Sequence, residues 1–235
     1  MCSCGGEQPK EPKKQSSILN CRPGPWDVDC ILDIFCNGDA EDRAVIAKLP
    51  KLTVHKREPK QVHYKEYRGG KWVDDGFTSG GSAIPGKEVW VNEDEGCAEA
   101  ASTLYHEVTH TDQPATMPGS QAEYEAYIKE EKWRMKEGKR LPPIDPSFRK
   151  KVNGKEVVDE DAVKKWVDDA YAYNPPTPLT GGPPPPSVSG LAANGTDVRL
   201  SDGTERPPKE GDAYRLPDTG GKITETIDPA KWKCP

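Results

Sequence analysis

Long apolar runs are what this chain lacks most. No segment reaches the roughly 20 consecutive apolar residues that a membrane-crossing helix needs. Apolar residues make up only 33% of the 235, and the mean hydropathy is −0.85. With 24 prolines and 22 glycines added, much of the chain is expected to be loop or extended polar segment around a core of modest size. An excess of positive charge is missing too. Thirty-three Lys and Arg stand against 39 Asp and Glu, giving a net charge of −6, which argues against nucleic acid as the main partner. The seven cysteines (Cys2, Cys4, Cys21, Cys30, Cys36, Cys97, Cys234) contain no C-x-x-C pair, which excludes the common structural zinc knuckles. Their number favours disulfides in an oxidising place, and an odd count leaves one thiol over. No apolar signal segment follows Met1-Cys2-Ser3-Cys4, only a polar, Lys-rich stretch. Two expectations follow: export by a dedicated machine, or a mature lipoprotein beginning at Cys2 behind an added Met1. A reduced, cytosolic chain is the alternative.

Histidine is also scarce, four in all, yet two of them stand together in Tyr105-His106-Glu107-Val108-Thr109-His110. On a helix, residues i and i+4 lie one above the other, so the two imidazoles converge on one metal ion. Glu107, rotated by about 100°, flanks that face as a general base for a metal-activated water. Cys97, Ala101, Leu104, Tyr105 and Val108 form the opposite, apolar stripe. The implied cofactor is Zn2+, and a catalytic zinc needs a third protein ligand with one position left open.

No third histidine follows at a useful spacing. Pro114, Pro118 and Gly119 end the first helix, and Ser120 is the expected N-cap of a second, running to Glu137. Glu123 and Glu125 compete as the third ligand. They point about 160° apart on a helix, so only one can face the metal. Glu123 is preferred, because Ala126 on its face lets the two helices approach closely. The short loop then requires a tight antiparallel helix pair.

The His106-Glu107-Val108-Thr109-His110 motif, with Glu123-x-x-Ala126 downstream, resembles the gluzincin zinc metallopeptidases. With Gln113 and Glu123-Tyr124-Glu125-Ala126 it is also similar to metallopeptidase domains of bacterial polymorphic toxins and secretion-system effectors. The resemblance spans roughly residues 87–137. It implies an α+β, zincin-like fold: a small antiparallel sheet packed on the motif helix and on a second, ligand-bearing helix. It implies a hydrolase acting on a polypeptide substrate, with His106, His110 and Glu123 on zinc and Glu107 as base. Secretion machinery or a cognate inhibitor protein become candidate partners. Where gluzincins often carry an Asp or Asn to orient a ligand histidine, this chain has Tyr127, so either its hydroxyl or another acceptor serves. Gluzincins use a Tyr or His to stabilise the oxyanion, which makes Tyr171 and Tyr173 candidates. Two other readings remain open: a hydrolase of peptidoglycan cross-links, and a binding protein merely clipped by zinc.

In chain order, residues 1–20 read as a disordered tail, and 21–174 as the catalytic domain. Within it, helices are expected from the Asp27 cap to Cys36 and from Ala40 to Leu49. Cys21, Cys30 and Cys36 are candidates for a bridge that fastens this arm. Leu52–Lys56, Gln61–Tyr67, Lys71–Phe77 and Lys87–Asn92 are expected strands, separated by Pro59, Gly69-Gly70 and Gly80-Gly81. By the resemblance, Val89-Trp90-Val91 is a substrate-aligning edge, though core is the commoner place for Trp90. His55 and His63 read as solvated strand histidines. Asn153-Gly154 marks a type I′ hairpin, and a helix is expected from Asp159 to Tyr173. Residues 175–190 are a Pro/Gly-rich linker, and 191–235 an irregular extension wrapping the main domain, pinned through Cys234. Within it, strands are expected at Val198–Leu200, Ala213–Leu216 and Ile223–Ile227.

Overall fold

Helix starts are set by short acidic side chains. Asp27 accepts a hydrogen bond from the Cys30 amide at 2.7 Å and caps α1 (Val28–Cys36). Asp39 and Asp42 close a capping box at the head of α2 (Ala40–Lys48). The computed structural model describes residues 24–84, 86–114, 116–117, 119–136, 139, 141–170 and 188–234. The expected N-terminal tail, most of the linker, Tyr171 and Tyr173 therefore lie outside the described residues.

Along the chain, the next elements are strands β1 (Thr53–Arg57), β2 (Lys60–Arg68), β3 (Lys71–Ser79), β4 (Gly81–Ile84) and β5 (Glu88–Asn92). Helices α3 (Cys97–His110) and α4 (Gly119–Met135) follow, then β6 (Arg149–Val152), β7 (Lys155–Val158) and α5 (Glu160–Ala170). The C-terminal part holds β8 (Val188–Leu191), β9 (Val198–Leu200), β10 (Glu205–Arg206), β11 (Ala213–Arg215), β12 (Thr219–Gly220) and β13 (Ile223–Ile227). The chain is thus mixed α+β, with several small and mostly antiparallel sheets.

The four upstream strands do not share the expected antiparallel sheet. β1 and β5 lie side by side in parallel, Val54 opposite Val89, in a sheet of order β13-β1-β5-β4. Parallel neighbours need a long connection, and the β2–β3 hairpin supplies it by folding out into a second sheet with β11 and β12. β4 was expected as a Gly-Gly break and is instead the edge strand, antiparallel to β5. The Asn153-Gly154 turn does form, with φ of 50° and 79° between β6 and β7. α4 begins at Gly119, one residue before the expected cap Ser120.

The main core gathers the apolar faces of α1, α2 and α3, the interior strands β1 and β5, and Trp133 of α4. Trp133 also donates its indole N–H to the fully buried Asp42 at 2.6 Å, and Lys139 pairs with the same carboxylate at 2.7 Å. A buried carboxylate requires such partners. A smaller cluster of Ile128, Phe148, Val163 and Val167 joins α4 to α5, with Tyr127 and Trp166 edge-on to Phe148. The C-terminal region lies on the main domain, and two of its expected strands, β13 and β11, pair with β1 and β2. β13 completes the main sheet against β1, and Ile227 and Trp232 enter the main core. Among the described residues, two disulfides join distant parts of the chain: Cys30 with Cys97, and Cys36 with Cys234.

Candidate metal centre

α3 presents two faces. Ala101, Leu104, Tyr105 and Val108 are buried in the core, Tyr105 hydrogen-bonding Glu41 and stacking on Trp133. The first residue of α3, Cys97, is bonded to α1 through Cys30. The opposite face turns Thr103, His106, Glu107 and His110 into a cleft of about 850 Å³.

α4 meets that face with Glu123, Tyr127, Glu130 and Arg134, which recur at the four–three–four spacing of one helical stripe. His106 Nε2 lies 3.1 Å from His110 Nε2 and 3.3 Å from Glu123 Oε2, and His110 Nε2 lies 3.7 Å from Glu123 Oε1. Glu125, the competing candidate, instead accepts from Gln121 at 2.9 Å and does not line the cleft.

The hydrogen bonds on the far side of each ring fix which nitrogen is available. Gln113 donates its amide N–H to the Ala122 carbonyl at 2.8 Å, so its oxygen accepts from His110 Nδ1 at 2.7 Å. Glu130 accepts from His106 Nδ1 at 2.9 Å. Both Nδ1 atoms thereby point away from the cleft, and both Nε2 atoms turn toward Glu123. Burial alone would lower the His106 pKa, but hydrogen bonds to Glu123 and Glu130 raise it well above the ordinary value. His110 is lowered by burial and by the neighbouring His106 charge.

The donor set fits zinc. Bonds of about 2.0–2.1 Å in a tetrahedral shell put ligand atoms roughly 3.3 Å apart, which is the spacing seen among the two nitrogens and the carboxylate. Glu130 is the residue that sequence reasoning missed. Tyr127 stands at the expected orienting position, yet it meets His106 through its ring, with centroids 4.5 Å apart. The orienting carboxylate comes from one turn further on. Its seven-residue spacing from Glu123 was the available signal, and in turn it accepts from Ser102 Oγ at 2.5 Å.

Glu107 packs under β4. A Cβ on Gly81 would stand 2.5 Å from Glu107 Oε1 and 2.7 Å from the Thr103 methyl, so only glycine permits this approach. Buried Arg57 pins the same rim by donating to Asn92, Ser82 and Ser79. Burial pushes the Glu107 carboxyl up to about 8. The His106 charge opposes the rise, Glu123 adds to it, and Arg57 opposes it. The cleft edge is thus β4, not Val89-Trp90-Val91. Those residues belong to interior β5, where Val89 and Val91 are core and Trp90 stacks on His55. His55 is held by Thr226 and His63 by Thr219, and neither lines the cleft.

A second carboxyl nearby titrates abnormally. Burial pushes Glu95 up to about 8; the Thr103 hydroxyl, donating at 2.9 Å, opposes this, while Glu99 and Glu130 add to it. The folded chain therefore holds this proton more tightly than the unfolded chain, whose value is near 4.5. The resulting stability is complete below that value and is lost as pH rises through about 8. Glu95→Gln is expected to flatten the decline in zinc-free protein, read as urea midpoints from about pH 4 to 9. An unchanged slope would remove Glu95 from the account.

No protein-family model, curated protein or solved structure matches the chain.

Proposed function

We propose that the chain is a zinc-dependent hydrolase of peptide bonds. The observation that carries this is the convergence of His106, His110 and Glu123 at a cleft that Glu107 also lines. Zinc bound there supplies the Lewis acidity that makes water a nucleophile near neutral pH. His106 and His110 would hold it through Nε2, and Glu123 through a carboxylate oxygen. Glu130 and Gln113 hold the two rings in register. Glu107 takes the proton of the attacking water and returns it to the leaving amine. An open cleft beside the donor set favours catalysis over a closed structural clip, which would surround the metal with four protein ligands.

Two disulfides, fastening α1 to α3 and to the C-terminus, support an oxidising working compartment, because such bonds are rare where thiols are kept reduced. An exported effector fits this setting.

Metal analysis separates the candidate ligands. Wild type and Glu125→Ala are expected to retain one zinc per chain, while His106→Ala and Glu123→Ala lose it. A casein or peptide-library assay beside a muropeptide digest then identifies the bond cleaved. Zinc retained by Glu123→Ala at wild-type affinity would overturn the ligand set.

A further inference from the structure

We infer that the cleft carries an anion subsite at Lys60, backed by Arg215, which seats a carboxylate of the bound peptide. The inference deepens the peptidase reading and rests on it only for the identity of the ligand.

The cleft has two walls of opposite charge. On the metal side stand Glu99, Glu107, Glu123 and Glu130, with Arg134 as their cation. Arg134 is already committed, donating to Glu99 at 2.7 and 3.1 Å and to Ser102 at 2.8 Å. On the other wall stand Lys60 and Arg215. Both are paired with the same carboxylate: Lys60 Nζ lies 2.8 Å from Asp218, and Arg215 grips it through Nε at 3.1 Å and a terminal nitrogen at 2.7 Å. Two cations over one carboxylate leave this wall positive.

The fold explains how the wall reaches the cleft. Lys60 opens β2, with Ser79 of β3 as its cross-strand neighbour on one side and Gly220 of β12 on the other. Ser79 belongs to the rim segment that continues into Gly81 and touches Glu107. Lys60 therefore stands one strand beyond the catalytic rim. Its side chain keeps 29% of its surface in solvent. An ammonium has three N–H donors, and Asp218 engages one of them. Arg215, by contrast, spends its fork on Asp218 and fixes that carboxylate in place. A peptide running across the rim from the metal would place an acidic side chain, or its own C-terminal carboxylate, against Lys60.

The test uses full-length, zinc-loaded Glu107→Gln protein and fluorescein-labelled octapeptides in which one glutamate is walked along a neutral background. Glutamine at the same position is the control. Each peptide is made with a free and an amidated C-terminus. By anisotropy, one position is expected to bind about tenfold tighter as glutamate, with the gain shrinking at high salt. Dependence on the free C-terminus instead identifies the terminal carboxylate as the ligand. Lys60→Ala, added to this protein, should erase the gain from whichever carboxylate supplies it, side chain or free terminus; Lys60→Arg should restore it. No preference at any position together with no effect of amidation, no binding at all, or a preference that survives Lys60→Ala overturns the subsite. Hydrolysis by the wild-type protein is read separately. A preferred peptide that is bound but never cut sinks the peptidase reading alone, and peptides cut without acidic preference sink the subsite alone.

Discussion

Glu107→Gln is expected to keep its zinc and to lose peptide hydrolysis by a factor of about 10² to 10⁴, the usual worth of a general base. The substitution keeps the shape of a side chain that is 5% exposed and packed under Gly81, so the cleft should stay as it is. What changes is the ability to accept a proton. Stability supplies an independent control. In zinc-free protein, burial raises the Glu107 carboxyl from 4.5 to about 8, so ionising it costs the fold as pH rises through that range. A neutral glutamine removes that cost. The variant should therefore melt no lower than the parent above neutrality while being far less active, as expected when a destabilising group is kept for chemistry. The charge of His106 already pulls Glu107 downward, and a bound cation acts in the same direction. Full activity in Glu107→Gln, measured at matched zinc content, would remove Glu107 from the base role.

Local periodicity carries the helices and most of the candidate metal site. His106 and His110 are legible because i and i+4 share a helical face, and Glu123 prevails over Glu125 because they point to opposite faces. Glu130 obeys the same arithmetic, seven residues from Glu123, but a carboxylate in a Glu-Glu-Lys run reads as solvated surface until α3 is placed against it. β4 was hidden for a different reason. Glycine is a poor strand former, yet Gly81 is required where the strand backbone presses on Thr103 and Glu107. The strands near Val198, Ala213 and Ile223 were visible as short segments, but their partners were not. Pairing β13 with β1 joins residues some 170 apart, and no local pattern encodes that. The parallel β1–β5 pair and both disulfides are non-local in the same way.

Trp232→Ala is expected to destabilise the fold by about 3–5 kcal/mol, the range for truncating a large buried aromatic side chain. For a chain of this size that lowers Tm by roughly 10 °C. Trp232 is 1% exposed in the main core, beyond β13, whose Ile227 faces Val54 of β1. Two residues on, Cys234 is bonded to Cys36 at the end of α1, closing a loop across 198 positions. The C-terminus is thus held to the core by a strand, an indole and a covalent bond. Chain-entropy arguments put such a long closure at about 5 kcal/mol at most, comparable to the indole itself. Trp232→Phe separates packing from polarity. The indole N–H has no acceptor among the described residues, so losing it should cost little, and most of the stability should return. Cys234→Ser should lower Tm under oxidising conditions and make it insensitive to reductant at that bridge. The consequence reaches the rim of the cleft through the sheet: β13 pairs with β1, β1 with β5, and β5 with β4, which lies on Glu107. Removing residues 188–235 should therefore abolish both the cooperative melt and zinc-dependent hydrolysis. A truncated chain that melts and cleaves like the full one would show that the C-terminal strand is dispensable to the sheet it completes.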